Sequence, residues 1–257
     1  MRHPLGGEGL SGSARGRDAG PAVAMRVMAC LNGARTRAEH LGVPLTAAEL
    51  ALDATAARRA GAFAVHVHAR DGRGLQTLDA AACDACVAAI HALSPGLPIG
   101  LSTAAEIDRD PFARAAAIKR WRTPPDFVSV NVSELGWAGI VRAASHAGIG
   151  VEAGLASERD AEELAGSPFT HRLVRVVIAV EGGATQARAI AELIPAGIPQ
   201  MWHGHGERTW DVLAAAAAAA HDLRVGLEDT LVLPDGATVA SNAELVTRAV
   251  ALRTRCG

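Results

Sequence analysis

Tyrosine is absent from this chain, and aromatic residues make up only 3 % of it. With hydrophobic residues at 49 %, the core has to be built from Ala, Val, Leu and Ile. That composition suits buried parallel strands covered by Ala-rich helices. The four cysteines, Cys30, Cys83, Cys86 and Cys256, are too few for a disulfide framework in 257 residues. A reducing cytoplasm is therefore the expected setting. Long apolar runs are missing too. The longest, residues 212–220, falls well short of the ~20 residues that span a bilayer, so no membrane partner is expected. The opening residues lack the basic, apolar and small-residue zones of a signal peptide. Charge of one sign is also lacking. The 25 Lys and Arg nearly balance the 27 Asp and Glu, for a net charge of −2. This provides no basic footprint for nucleic acid.

What is present is an alternation. Residues 1–24 are rich in Gly, Ser and Arg without apolar periodicity, and are expected to form a disordered leader. Residues 25–257 are expected to form one domain. Eight short apolar runs read as strands: 27–31, 63–68, 99–102, 127–130, 150–153, 173–180, 200–202 and 223–227. Thr46-x-x-Glu49 is a capping box that opens a helix running to about Ala60 and stopping at Gly61. Further helical segments are expected at 78–93, 157–164, 185–194, 210–221 and 242–253. Strands alternating with helices imply parallel pairing through right-handed crossovers. A closed barrel and an open doubly wound sheet both fit. The first strand–helix turn has no Gly-rich dinucleotide or phosphate-loop fingerprint, which favours an α/β fold of the (β/α)8 TIM-barrel type. The length is near the ~250 residues typical of such barrels.

In a barrel, reactive side chains gather at the C-terminal strand ends. His66 and His68 are two apart on the second strand, so they face the same side. Two neutral imidazoles joined by one carboxylate form a catalytic zinc set with an open position. Glu228 and Asp229 close the eighth strand. Adjacent residues cannot both point inward on a regular strand. One reaches the metal only if the strand ends there and the other turns into the mouth. Arg224, four residues earlier, would keep this pair of carboxylates ionised. His203-Gly204-His205-Gly206 is a second His-x-His that competes with the first. Its glycines suggest a loop whose amides approach a ligand closely, with His203 lining the pocket and the role of His205 open. Cys83-x-x-Cys86 lies mid-helix with no second pair, and reads as a packing face.

Several stretches together resemble the β-keto acid cleavage enzymes. They are Cys30-Leu31-Asn32-Gly33-Ala34-Arg35-Thr36, His66-Val67-His68-Ala69-Arg70-Asp71, Ser102-Thr103, Phe127 to Asn131, Val151-Glu152-Ala153-Gly154, and Arg224-Val225-Gly226-Leu227-Glu228-Asp229. The resemblance covers nearly all of the chain after Met25. It implies a zinc-bearing barrel that takes a β-keto acid and acetyl-CoA to acetoacetate and a new acyl-CoA. It implies that His66, His68 and Glu228 ligate Zn2+, and that Ser102, Arg224 and Asp229 handle protons, with Asp229 as base. Thr103, Asn131 and Glu152 match positions near the substrate, and a homo-oligomer is expected. The family's founding member carries a Glu in the first strand's loop that recognises an amino group. Arg35 stands at about that place here, which implies a neutral or anionic substrate side chain.

Two other readings start from the same residues. A zinc hydrolase would need further ligands, for which His203 and His205 are the clear candidates. A catalytically silent zinc-binding barrel would not need the Ser102, Arg224 and Asp229 set that is present.

Overall fold

The structure, a computed structural model, describes residues 25–252. The expected leader at 1–24 lies outside the described residues, as does Cys256. The chain forms β1 (Val27–Cys30), α1 (Ala47–Arg59), β2 (Ala62–Val67), α2 (Ala80–Leu93), β3 (Ile99–Ser102), α3 (Pro111–Ile118), β4 (Phe127–Asn131) and α4 (Trp137–His146). It continues with β5 (Gly150–Leu155), α5 (Glu158–Ala165), β6 (Leu173–Val180), α6 (Ala184–Glu192), β7 (Gln200–Gly204), α7 (Thr209–Ala218), β8 (Asp222–Val225) and α8 (Asn242–Leu252). Each strand pairs in parallel with the next, and β8 returns to β1, so the eight strands close a barrel. The expected TIM barrel is therefore the fold. None of the described helices is long and apolar enough to cross a membrane.

Local chemistry sets the element ends. The Thr46–Glu49 capping box forms in both directions: the Glu49 amide donates to Thr46 Oγ1 at 3.2 Å and the Thr46 amide to Glu49 Oε2 at 3.0 Å. Such caps contribute about 1 kcal/mol each. α3 and α4 lie outside the helical segments expected from the sequence. α3 has a legible start, since Asp110 accepts from the Phe112 amide at 2.8 Å and Pro111 occupies the first turn. α4 begins at Gly136 in the left-handed region with no side-chain cap, so its start carries little local signal.

Two apolar layers hold the barrel. Outward-facing Val65, Val67, Leu101, Val128 and Val151 pack against the helices. Inside, Met28, Cys30, Ala64, Phe127, Val177 and Met201 form a smaller cluster. The same inward alternation then turns polar. Ser102, Ser129, Glu152 and Arg175 are successive cross-strand partners on β3, β4, β5 and β6. Cys83 and Cys86 are buried in the outer layer, consistent with a packing face.

β8 is shorter than expected. It ends at Val225, and Gly226 starts a turn. A Cβ on Gly226 would lie 1.8 Å from the Cys30 carbonyl oxygen. Only glycine lets the chain cross β1 this closely and carry Glu228 and Asp229 over the barrel's rim.

Candidate active site

The turn after β8 removes the geometric conflict between Glu228 and Asp229. The Asp229 and Thr230 amides donate to the Gly226 carbonyl at 2.9 and 3.1 Å. The two carboxylates thus leave a tight turn and need not obey strand alternation. Glu228 meets the imidazoles: its Oε2 is 3.8 Å from His66 Nε2 and its Oε1 is 3.7 Å from His68 Nε2. One donor atom from each of these three residues lies within 4.8 Å of the others.

The two histidines are held by different means. His66 is on β2, with Nδ1 3.2 Å from Ser129 Oγ. His68 sits one residue past the strand. Asn32 clamps its backbone, accepting from the His68 amide and donating to the His68 carbonyl, both at 2.9 Å. Its Nδ1 is hydrogen-bonded to Gln76 Oε1.

Behind the carboxylates lies a buried charged cluster. Arg224 donates to Glu228 and places Nη2 3.7 Å from Asp229 Oδ1. His203 Nδ1 lies 3.1 Å from the same Asp229 oxygen. Burial disfavours the Glu228 carboxylate, but the Arg224 guanidinium and the two imidazoles outweigh it and hold the carboxyl well below its usual range. Burial lowers His66 well below its ordinary value. It takes His203 down to about 4, helped by Arg224 and opposed by Asp229. Both rings are therefore neutral near pH 7, as metal ligation or hydrogen bonding requires.

Glu152 is fully buried with Arg175, whose Nε is 3.0 Å from its Oε1. Burial raises the Glu152 carboxyl, while Arg175 and Arg224 pull it back. An arginine does not give up its proton, and an unpaired buried guanidinium costs several kcal/mol on the order of a broken ion pair. Glu152 and Arg175 thus form a buried ion pair.

These residues wall a cavity of about 530 Å³ at the C-terminal end of the strands. His66, His68, Ser102, Asn131, His203, Arg224 and Glu228 line it. Asp229 does not line it. It is fully buried, with Oδ1 between Arg224 and His203 and Oδ2 without a hydrogen-bond partner. Three residues expected near substrate also fall outside the lining. Thr103 gives its hydroxyl proton to the Ser129 carbonyl at 2.7 Å, Glu152 lies behind Ser129, and Arg35 is ion-paired to Glu39 at 3.0 Å. The inference of a neutral or anionic substrate from Arg35 therefore has no contact behind it.

The second His-x-His behaves unlike the first. His203 is buried on β7, whereas His205 is exposed beyond the strand. Gly204 is required for packing rather than for a ligand: a Cβ there would meet the Arg208 carbonyl oxygen at 2.8 Å. His203, His205 and Asp229 nonetheless form a second group whose donor atoms lie within 4.8 Å of one another.

Sequence reasoning missed Ser129, Arg175, Gln76 and Glu106. Arg175 had a usable signal, being the one charge inside the apolar run of β6; a lone buried charge demands a partner. Glu106 and Gln76 lie on loops, and Gln76 Nε2 donates to Glu106 Oε1 at 3.1 Å. No spacing rule connects those two to His68.

The donor set fits a divalent transition-metal ion. Two imidazole nitrogens and a carboxylate suit such an ion. Each Nε2 faces Glu228 at a separation too long for a hydrogen bond, and Glu228 Oε2 is buried with no hydrogen-bond partner. An ion among the three would satisfy that oxygen.

The profile of the beta-keto acid cleavage enzyme family matches residues 25–165 and 165–257. The chain belongs to this family. A 3-keto-5-aminohexanoate cleavage enzyme of Fusobacterium nucleatum is 25 % identical over 252 residues, covering 90 % of this chain and 92 % of the relative. Among solved structures, apo ObcA aligns with a TM-score of 0.66 at 17 % identity, covering 80 % of this chain and 60 % of ObcA. A ternary complex of ObcA with a C4-CoA adduct and oxalate aligns equally well, with a TM-score of 0.66, 17 % identity, and coverage of 80 % and 62 %. The chain thus spans about three fifths of the length of ObcA, and the likeness shows the shared barrel. In this β-keto acid cleavage family member, His66, His68, Ser102, Asn131, Arg224 and Glu228, from the stretches that carry the sequence resemblance, line the cavity.

Proposed function

We propose that this beta-keto acid cleavage enzyme is a zinc-dependent acyltransferase that converts a β-keto acid and acetyl-CoA into acetoacetate and a new acyl-CoA. The observation that carries this reading is the convergence of His66, His68 and Glu228 directly beside the Arg224–Asp229–His203 cluster at one cavity. ObcA structures with oxaloacetate and with a C4-CoA adduct support keto-acid and CoA-type substrates.

His66, His68 and Glu228 would hold the ion, which when bound polarises the keto acid's oxygens and stabilises negative charge that develops on them. Asp229 acts as the base. Its Oδ1 is flanked by His203 and Arg224, whereas Oδ2 has no hydrogen-bond partner and is left to take the α-proton. Arg224, with Nη2 3.7 Å away, orients that carboxylate for proton transfer. His203, neutral and 3.1 Å from Asp229, fixes the carboxylate from the other side. Ser102, at the end of β3 and lining the cavity, can donate its hydroxyl proton in a hydrogen bond to the substrate carboxylate or to the departing CoA thiolate.

The balance is simple. The keto acid loses its α-proton to Asp229 and its α-carbon bonds to the acetyl carbon, with CoA thiolate leaving. The thiolate then attacks the original ketone carbon. The bond between that carbon and the α-carbon breaks, and Asp229 returns the proton to acetoacetate. A panel of β-keto acids incubated with acetyl-CoA tests this: acetoacetate and a matching acyl-CoA are expected. Keto-acid cleavage at full rate without acetyl-CoA overturns it.

That outcome would favour a second reading, a metal-dependent hydrolase. One observation speaks for it: the His203, His205 and Asp229 group could hold an additional ion beside the first.

A further inference from the structure

The interior row Ser129–Glu152–Arg175 touches the cavity only through Ser129, yet its three members are linked to His66. Proton bookkeeping along the row is decisive. Arg175 is a donor at every nitrogen, and its Nε faces Glu152 Oε1 at 3.0 Å. Its guanidinium is also fixed between Phe63 and Phe127, 5.1 and 5.2 Å from their ring centres. Glu152 therefore presents acceptors only. Ser129 Oγ lies 3.2 Å from Glu152 Oε2 and must direct its single proton there. That leaves Ser129 Oγ as an acceptor toward His66 Nδ1, also at 3.2 Å. His66 then carries its proton on Nδ1, and Nε2 is left with the lone pair. Nε2 is the atom that faces Glu228.

We infer that Arg175, Glu152 and Ser129 form a positioning relay that fixes His66 in its Nδ1-protonated tautomer and so presents Nε2 as a ligand to a divalent cation. This rests on the proposed reading of His66 as a metal ligand. His68 reaches the same state independently. The Gln76 amide nitrogen donates to Glu106 at 3.1 Å, so its oxygen faces His68 Nδ1. Two unrelated side-chain chains thus leave both Nε2 atoms unprotonated and facing one carboxylate. The relay also explains why Glu152, expected near substrate, lies behind the cavity wall. It acts through Ser129 rather than on the ligand.

The test uses the whole protein. Long-range ¹H–¹⁵N NMR of the zinc-free protein, with the His66 signals identified by their loss in His66→Ala, reads the tautomer directly. Competition with a chromogenic chelator reads zinc affinity. Wild type is expected to show Nδ1-protonated His66. Ser129→Ala and Glu152→Gln are expected to mix the tautomers and weaken zinc binding by about 10–100-fold, the usual effect of losing an outer partner of a ligating histidine. Ser129→Thr keeps the hydroxyl and is expected to restore both. A wild-type His66 protonated on Nε2 overturns the relay, as do both weakening variants binding zinc with unchanged affinity. Neither result touches the ligand assignment, which fails separately if His66→Ala keeps wild-type zinc affinity.

Discussion

Gly33 lies against Glu228. A Cβ on Gly33 would stand 2.4 Å from Glu228 Cγ and 3.0 Å from both its Cβ and Cδ. The backbone at Gly33 also has φ +51, a region that L side chains rarely adopt. The loop after β1 therefore forms a wall that sets where the proposed third ligand can go. Gly33→Ala is expected to displace the Glu228 carboxylate and lower zinc affinity by at least about tenfold, while the barrel still folds. Metal titration with circular dichroism as the folding check decides it. Unchanged affinity would show that the Glu228 side chain does not depend on this wall.

His66→Ala removes one of three proposed donors. Metal analysis after dialysis should give less than stoichiometric zinc, with turnover lost in parallel. Retained stoichiometric zinc refutes the ligand set of His66, His68 and Glu228.

Asp229→Asn separates metal binding from proton transfer. Asp229 is fully buried and is not among the three residues facing one another at the mouth, so the variant should keep its zinc. It cannot accept the α-proton, and a fall in kcat of about 10²–10⁴-fold is expected from loss of a general base. Full activity with bound zinc would remove Asp229 from that role.

Asp53 offers a pH test away from the site. Burial raises its carboxyl from 3.8 to about 6, against the pull of the Asn242 amide, whose Nδ2 donates to Asp53 Oδ2 at 2.6 Å. A carboxyl raised by folding favours the folded state when protonated. That contribution is complete below about pH 4, is lost as pH rises from about 4 to about 6, and stays lost above. Asp53→Asn keeps an acceptor for Asn242 without the charge. It should stabilise the protein by about 1–2 kcal/mol at pH 7.5, after allowance for the side chain's partial exposure, and by much less at pH 4. Denaturant unfolding at the two pH values measures this; an equal effect at both would rule out the titration.

The barrel was legible because its signals are local. Short apolar runs such as 173–180, the capping box at Thr46, and the stop at Gly61 each need only neighbouring residues to take effect. The facing of His66 and His68 is likewise a matter of strand period. What escaped was the part of the site whose partners are distant in sequence. The relay to His66 links residues on β2, β4, β5 and β6 through barrel register. Thr103 and Arg35 stand beside the right motifs, but their side chains are engaged by Ser129 and Glu39.

The residue order alone determined the alternation of strands and helices, a preference for a closed barrel over an open sheet, and the kinds of side chain that gather at the strand ends, because hydrophobic period and capping act within a few residues. Whether Glu228 and Asp229 could both serve depended on tertiary structure. The Gly226 crossing over Cys30 ends β8 early and frees both carboxylates from strand alternation, and that close approach exists only once the eighth strand has closed on the first.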